Sequence, residues 1–195
     1  VLPAPTDSVL IPAGRPNYPA LTSQFEAARL TVHSGASIAT VNDNIRVTGQ
    51  LDNLGTIAIS GTGLVQMAPA ASARLLGNLP NLQVLSGTVL PRALHAITGN
   101  VHVTGSAVLD LEPSASVSVG GNLLVDVTAR LVMQGTESII VNGDVTLSSE
   151  TLGTGLDGGT LAVTGNFTGS SSLRAAAAFT LALDSPGIQT ITLSG

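Results

Sequence analysis

The chain has no cysteine, no lysine and no tryptophan, and a single tyrosine, Tyr18. Without cysteine there is no disulfide framework and no thiolate metal site. Aromatic residues make up 2% of the 195 positions, too few for the girdles of a membrane barrel, which also needs longer alternating strands. Charged residues are 10%, well under the usual ~25%. No apolar run approaches about 18 residues, so no membrane-spanning helix is encoded. All basic residues are arginines, scattered from Arg15 to Arg174, and the net charge is −5. No basic stripe forms, which argues against a nucleic-acid partner.

What the chain does have is a period. Gly77, Gly99, Gly121, Gly143 and Gly165 lie 22 residues apart, followed by Asn78, Asn100, Asn122, Asp144 and Asn166. A fixed period of this length marks an array of one structural unit. Counting each glycine as position 1, position 3 reads Leu79, Val101, Leu123, Val145, Phe167, and position 5 includes Val103, Val125 and Leu147. Positions 11 and 13 carry Leu109, Leu131, Val89, Leu111 and Met133; positions 19 and 21 carry His95, Val117, Ile139, Leu161, Ile97, Val119, Val141 and Val163. Alternation of period two is the strand signal, and turn residues separate the three runs. The expected fold is all-β: a right-handed parallel β-helix, or β-solenoid, with three short strands per rung of about 22 residues and about seven rungs. The Gly-Asn pairs read as a corner needing positive φ, with the stacked Asn side chains hydrogen-bonding from rung to rung.

The organisation expected along the chain is a proline-rich N-terminal arm and cap over 1–29, then a solenoid over 30–195 with regular repeats over 77–186 and a degenerate last rung. Pro3, Pro5, Pro12, Pro16 and Pro19 block regular ladder pairing, and Phe25–Leu30 reads as a short helical turn capping the first coil. Early strands are expected at Leu30–Val32, Ser37–Thr40, Asn44–Thr48, Thr56–Ser60 and Leu64–Met67, with the glycine phase slipping before Leu75. Ser170–Ser172 and Ala175–Ala178 replace the middle strand of the last repeat. The strand containing Ile191 and Leu193 is expected to meet more protein or a partner end to end.

The glycine-phased coil, with Leu30-Thr31-Val32, Ser34-Gly35-Ala36 and Ile45-Arg46-Val47-Thr48-Gly49, resembles right-handed parallel β-helix proteins of bacterial cell surfaces: adhesin stalks and autotransporter passengers. The resemblance covers most of Leu30–Gly195. It implies a secreted, extracellular location. It specifies architecture, since fold does not fix function.

Polysaccharide lyases and hydrolases also resemble this fold, so carboxylates need inspection. Glycoside hydrolysis uses two, roughly 5–10 Å apart. Asp110 with Glu112, and Asp126 with Glu150, are the candidate pairs; each reads as solvated corner charges with no arginine column beside it. His33, His95 and His102 fall at different places in the coil, His95 inward and His102 outward, and do not converge as metal ligands would. No cofactor is implied. A threonine column for ice binding is too short, offering Thr146 and Thr168 with Thr190 trailing.

Outward positions include Leu124, Val132 and Ile140, one on each side of the repeat beginning at Gly121, and these are candidate contact residues. The expected function is non-enzymatic: a rigid secreted β-solenoid serving as surface stalk, adhesive segment or extracellular filament subunit. Its expected partners are copies of itself, neighbouring domains, or a surface glycan or host-cell ligand. The alternative is a glycan-binding or glycan-degrading β-helix.

Overall fold

Short alternations of apolar and polar residues build every regular element. The computed structural model describes residues 2–92, 94–148, 155–170 and 178–194, and among these every element is a strand. No helix there is long and apolar enough to cross a membrane. In chain order the first half comprises β1 (Ser8–Ile11), β2 (Ala20–Leu21), β3 (Phe25–Ala27), β4 (Arg29–Val32), β5 (Ser37–Val41), β6 (Ile45–Val47), β7 (Leu51–Asn53), β8 (Thr56–Ser60), β9 (Val65–Met67), β10 (Ser72–Gly77), β11 (Leu82–Val84) and β12 (Thr88–Pro91). The second half comprises β13 (Leu94–Ile97), β14 (Val101–Val103), β15 (Val108–Asp110), β16 (Ser116–Val119), β17 (Leu123–Val125), β18 (Arg130–Val132), β19 (Ser138–Val141), β20 (Val145–Leu147), β21 (Thr160–Val163), β22 (Phe167–Ser170), β23 (Thr180–Leu183) and β24 (Ile191–Ser194).

The strands wind into a parallel β-solenoid with three sides. One side is the seven-stranded sheet β1-β4-β7-β10-β12-β15-β18, and a second is the nine-stranded sheet β3-β6-β9-β11-β14-β17-β20-β22-β24. The third side is divided into β2-β5-β8 and β13-β16-β19-β21-β23. Nine stacked strands bound eight turns, one more than the repeat count suggests. At about 4.8 Å per rung the body is about 38 Å long.

The extra turn comes from rung length. Along the nine-stranded side the stacked positions Phe25, Ile45, Val65, Leu82, Val101, Leu123, Val145, Phe167 and Ile191 follow one another at 20, 20, 17, 19, 22, 22, 22 and 24 residues. Only the C-terminal half keeps the 22-residue unit. These residues and the column two positions on, from Ala27 through Val47, Met67, Val84, Val103 and Val125 to Leu147, point inward and are buried. Stacking like on like produces one continuous core, in which each fully buried Leu, Ile or Val contributes about 1.5–3 kcal/mol.

The segment 1–29 is not an arm. β1 pairs with β4, β2 with β5 and β3 with β6, so it forms the first rung. Phe25–Leu30 is not a helical turn but β3, a corner and the start of β4. Phe25 and Ala27 alternate inward around Glu26, and Leu30 and Val32 do the same around Thr31. Burial on the period of two outweighs the helix propensity of Glu-Ala-Ala-Arg. The five early prolines all lie between strands.

The 17-residue rung has a local consequence. β10 pairs with β7 through Leu75–Gly77 and with β12 through Ser72–Leu75, and the third side then receives only Asn78–Pro80 before β11 begins. Leu79 makes an isolated bridge to Ile97 in place of a strand. The third side is split there, leaving a cleft of about 270 Å³ between Thr56, Ile57, Leu79, Pro80 and Thr98.

Candidate functional site

One corner of the nine-stranded side carries a hydrogen-bonded ladder. Asn81 Oδ1 accepts the backbone N–H of Asn100 at 2.9 Å, Asn100 Oδ1 that of Asn122 at 2.8 Å, and Asn122 Oδ1 that of Asp144 at 2.8 Å. Asp144 Oδ1 accepts from Asn166 at 2.7 Å and Asn166 Oδ1 from Thr190 at 3.0 Å. The bonds run from side chain to the next rung's backbone, satisfying a corner N–H at every turn.

The role of the glycines differs from the one the sequence suggests. Gly99, Gly121, Gly143 and Gly165 do not have positive φ. A Cβ on any of them would fall inside the van der Waals envelope of the ladder oxygen arriving from the rung before. Glycine is needed there for close approach, and Gly-Asn is one device: the glycine of each rung makes room for the side chain of the previous one.

Gly77 and Asn78 stand outside this ladder. Gly77 ends β10 opposite Asn53, at φ +99°, and Asn78 Oδ1 accepts the N–H of Ala96 at 3.0 Å on the third side. The residue in phase with Asn100 is Asn81, because that rung spans 19 residues from Leu82 to Val101. The 22-residue interval from Gly77 to Gly99 joins two different corners.

Outside the ladder corner runs a column of strand centres: Glu26, Arg46, Gln66, Gln83, His102, Leu124, Thr146, Thr168 and Thr192 are consecutive register partners. Glu26 and Arg46 form an ion pair at 3.5 Å, and Gln66 Nε2 donates to Gln83 Oε1 at 2.9 Å. Thr192, rather than Thr190, continues the threonine column. Between the ladder column and this one lies a trough of about 370 Å³, walled by Asn100, Asn122 and Asp144 on one side and by His102, Leu124 and Thr146 on the other. At its end His102 Nε2 lies 3.0 Å from both carboxylate oxygens of Asp126. The Asp126 carboxyl is held below its usual range, first by a hydrogen bond from the Thr104 side chain and further by His102, against the opposing effect of burial.

The seven-stranded side carries the charges, and here the structure corrects the reading of isolated carboxylates. Glu112 binds Arg92 Nε at 2.5 Å and Arg74 Nε at 3.6 Å. Asp110 is pushed above the usual carboxylate range, first by burial and then by the neighbouring Glu137, with Arg130 pulling the other way. Glu137 is only 2% exposed and accepts the Gly135 N–H at 2.5 Å. Sequence spacing missed this cluster because Arg74, Arg92 and Glu137 come from rungs of unequal length. Glu150 lies outside the described residues.

The three proposed contact residues differ. Ile140 is exposed (46%), Leu124 is half-buried in the trough, and Val132 is buried (5%). Alternation fails at Val132 because the regular ladder of that side ends with β18. Beyond it Met133 bridges Leu156 in isolation, and the Met133 carbonyl accepts from both Asp157 and Gly158. Leu131, Val132 and Met133 are all buried as a result. Ile191 and Leu193, on the edge strand β24, are exposed (52% and 63%). His95 is buried with Nδ1 2.8 Å from the Gly77 carbonyl oxygen, and His33 is exposed.

The fold class is thus a parallel β-solenoid built on an asparagine-glycine corner. No protein-family model matches the chain, and no match was found among curated proteins or solved structures.

Proposed function

We propose that this chain is a non-enzymatic structural solenoid: a rigid spacer of the kind found in bacterial surface stalks, adhesive segments and extracellular filaments. The observation that carries the reading is the uninterrupted nine-stranded parallel sheet over one continuous core. Stacked rungs of this kind resist bending, because tilting one rung breaks its ladder and opens the core beneath it. The secreted, cell-surface setting follows from the resemblance to adhesin stalks and autotransporter passengers and forms part of the proposal. Its working contacts are end to end. β3 and β24 are the two edges of one parallel sheet, and an edge strand templates another, whether from a neighbouring domain or a second copy. Ile191 and Leu193 lie on the second of these edges.

Electron microscopy of the purified chain across a concentration series tests this. The expected particles are straight rods with a body of about 38 Å, joining end to end into filaments with a rung-spaced axial repeat as concentration rises. Discrete rods at every concentration would remove self-assembly and keep the spacer. Bent or collapsed particles would overturn the reading.

A further inference from the structure

We propose that the trough between Asn100–Asn122–Asp144 and His102–Leu124–Thr146 binds one uncharged pyranose unit of a glycan. The ladder fixes the chemistry of its corner wall. Asn100 Oδ1 and Asn122 Oδ1 are each committed to the backbone N–H of the next rung, which settles the orientation of both amides. Their NH2 groups are the donors left over. Asp144 commits Oδ1 in the same way and keeps its second carboxylate oxygen as an acceptor. The wall therefore offers donor, donor and acceptor in line, spaced by one rung of about 4.8 Å, close to the separation of equatorial hydroxyls on alternate ring carbons. A hydroxyl both donates and accepts, so a row of this mixed kind suits a polyol.

The opposite wall, about 6.8 Å away along the strand, supplies the half-buried Leu124 for the C–H face of the ring and the Thr146 hydroxyl for its rim. Leu124 takes the place of the aromatic platform this chain lacks. Charge selects against anions: the lining holds the Asp144 carboxylate and no arginine, and His102 is occupied by Asp126. A volume of about 370 Å³ lies within the range of small-ligand sites, at its lower end. With no stacking partner, a dissociation constant on the order of 1 mM is expected. The site stands or falls independently of whether the chain assembles into filaments.

The test is a titration of the whole ¹⁵N-labelled chain with methyl glucopyranosides, galactopyranosides and mannopyranosides up to about 50 mM, with glycerol as control. The side-chain amide signals of Asn100 and Asn122 are expected to shift saturably with at least one sugar and not with glycerol. Asn122→Asp keeps the ladder acceptor, as Asp144 does naturally, but removes a donor; it is expected to weaken binding about tenfold with the melting temperature retained. If that variant does not fold, Thr146→Val provides the second reading and is expected to weaken binding several-fold. No shift with any sugar, an equal response to glycerol, shifts confined to another face, or full-strength binding by the folded variant would each overturn the site.

Discussion

Asn100 Oδ1 accepts the N–H of Asn122 at 2.8 Å and at the same time fills the space that a Cβ on Gly121 would need. Two residues from adjacent rungs are therefore one structural element. Gly121→Ala forces that oxygen aside and is expected to cost about 1–3 kcal/mol. Asn100→Ala strands the Asn122 N–H at a similar cost. The double variant should be less destabilised than the sum, because the methyl no longer meets the oxygen. Urea unfolding of the four proteins measures the coupling; strict additivity would refute it.

Val132 and Ile140 separate burial from exposure within one repeat. Val132→Asp places a charge in a dry position beside its strand partner Asp110, and a loss above about 3 kcal/mol is expected. Ile140→Asp should stay within about 0.5 kcal/mol, with Leu124→Asp between them. Thermal melts rank the three, and an equal effect from all would contradict the burial described.

Acid acts on Asp110 and Asp126 in opposite senses. Asp126 is held below its ordinary range in the folded state, so the stability it supplies is present above the unfolded value and is lost as pH falls through the folded one. Asp126→Asn should therefore destabilise at neutral pH and have little effect in strong acid. Asp110 is raised by burial, so its ionisation opposes folding at neutral pH, and the penalty disappears as pH falls through the folded value toward the unfolded one. Asp110→Asn should stabilise at neutral pH and be neutral in acid. Melting temperatures from pH 7 down to about 2.5, below the ordinary aspartate range, check both signs.

Glu112 bridges Arg74 and Arg92 on the surface. Exposed pairs contribute about 0–1 kcal/mol, so Glu112→Gln should shift unfolding only slightly, and less at high salt. A large, salt-insensitive loss would show that the cluster holds the fold.

How much of this could be read from the sequence depends on rung length. From Val101 to Phe167 the unit is constant, and the inward columns and the corner residues follow directly from the period. Upstream, rungs of 20, 17 and 19 residues leave no common phase. β7 is hidden because Leu51-Asp52-Asn53 turns an asparagine inward, where its Nδ2 donates to the Asn78 carbonyl at 2.5 Å. Asn78 looked like a ladder residue because composition cannot distinguish one Gly-Asn corner from another. The trough and the charge cluster arise from side chains on adjacent rungs, so their geometry depends on a register that only the fold supplies.

The equal rungs of the C-terminal half make length adjustable in whole steps. Asn100, Asn122 and Asp144 occupy the same corner at intervals of 22 residues, so excising 121–142 would bring Asn100 Oδ1 to the N–H of Asp144 and leave both halves of the rod unchanged. The body would shorten by one increment of about 4.8 Å, and duplicating the same stretch would lengthen it by one. Across the 17-residue rung no such cut keeps all three sides in step. Gene-level gain or loss of reach is thus confined to one end of the molecule, while the other sets a fixed base on which those increments are counted.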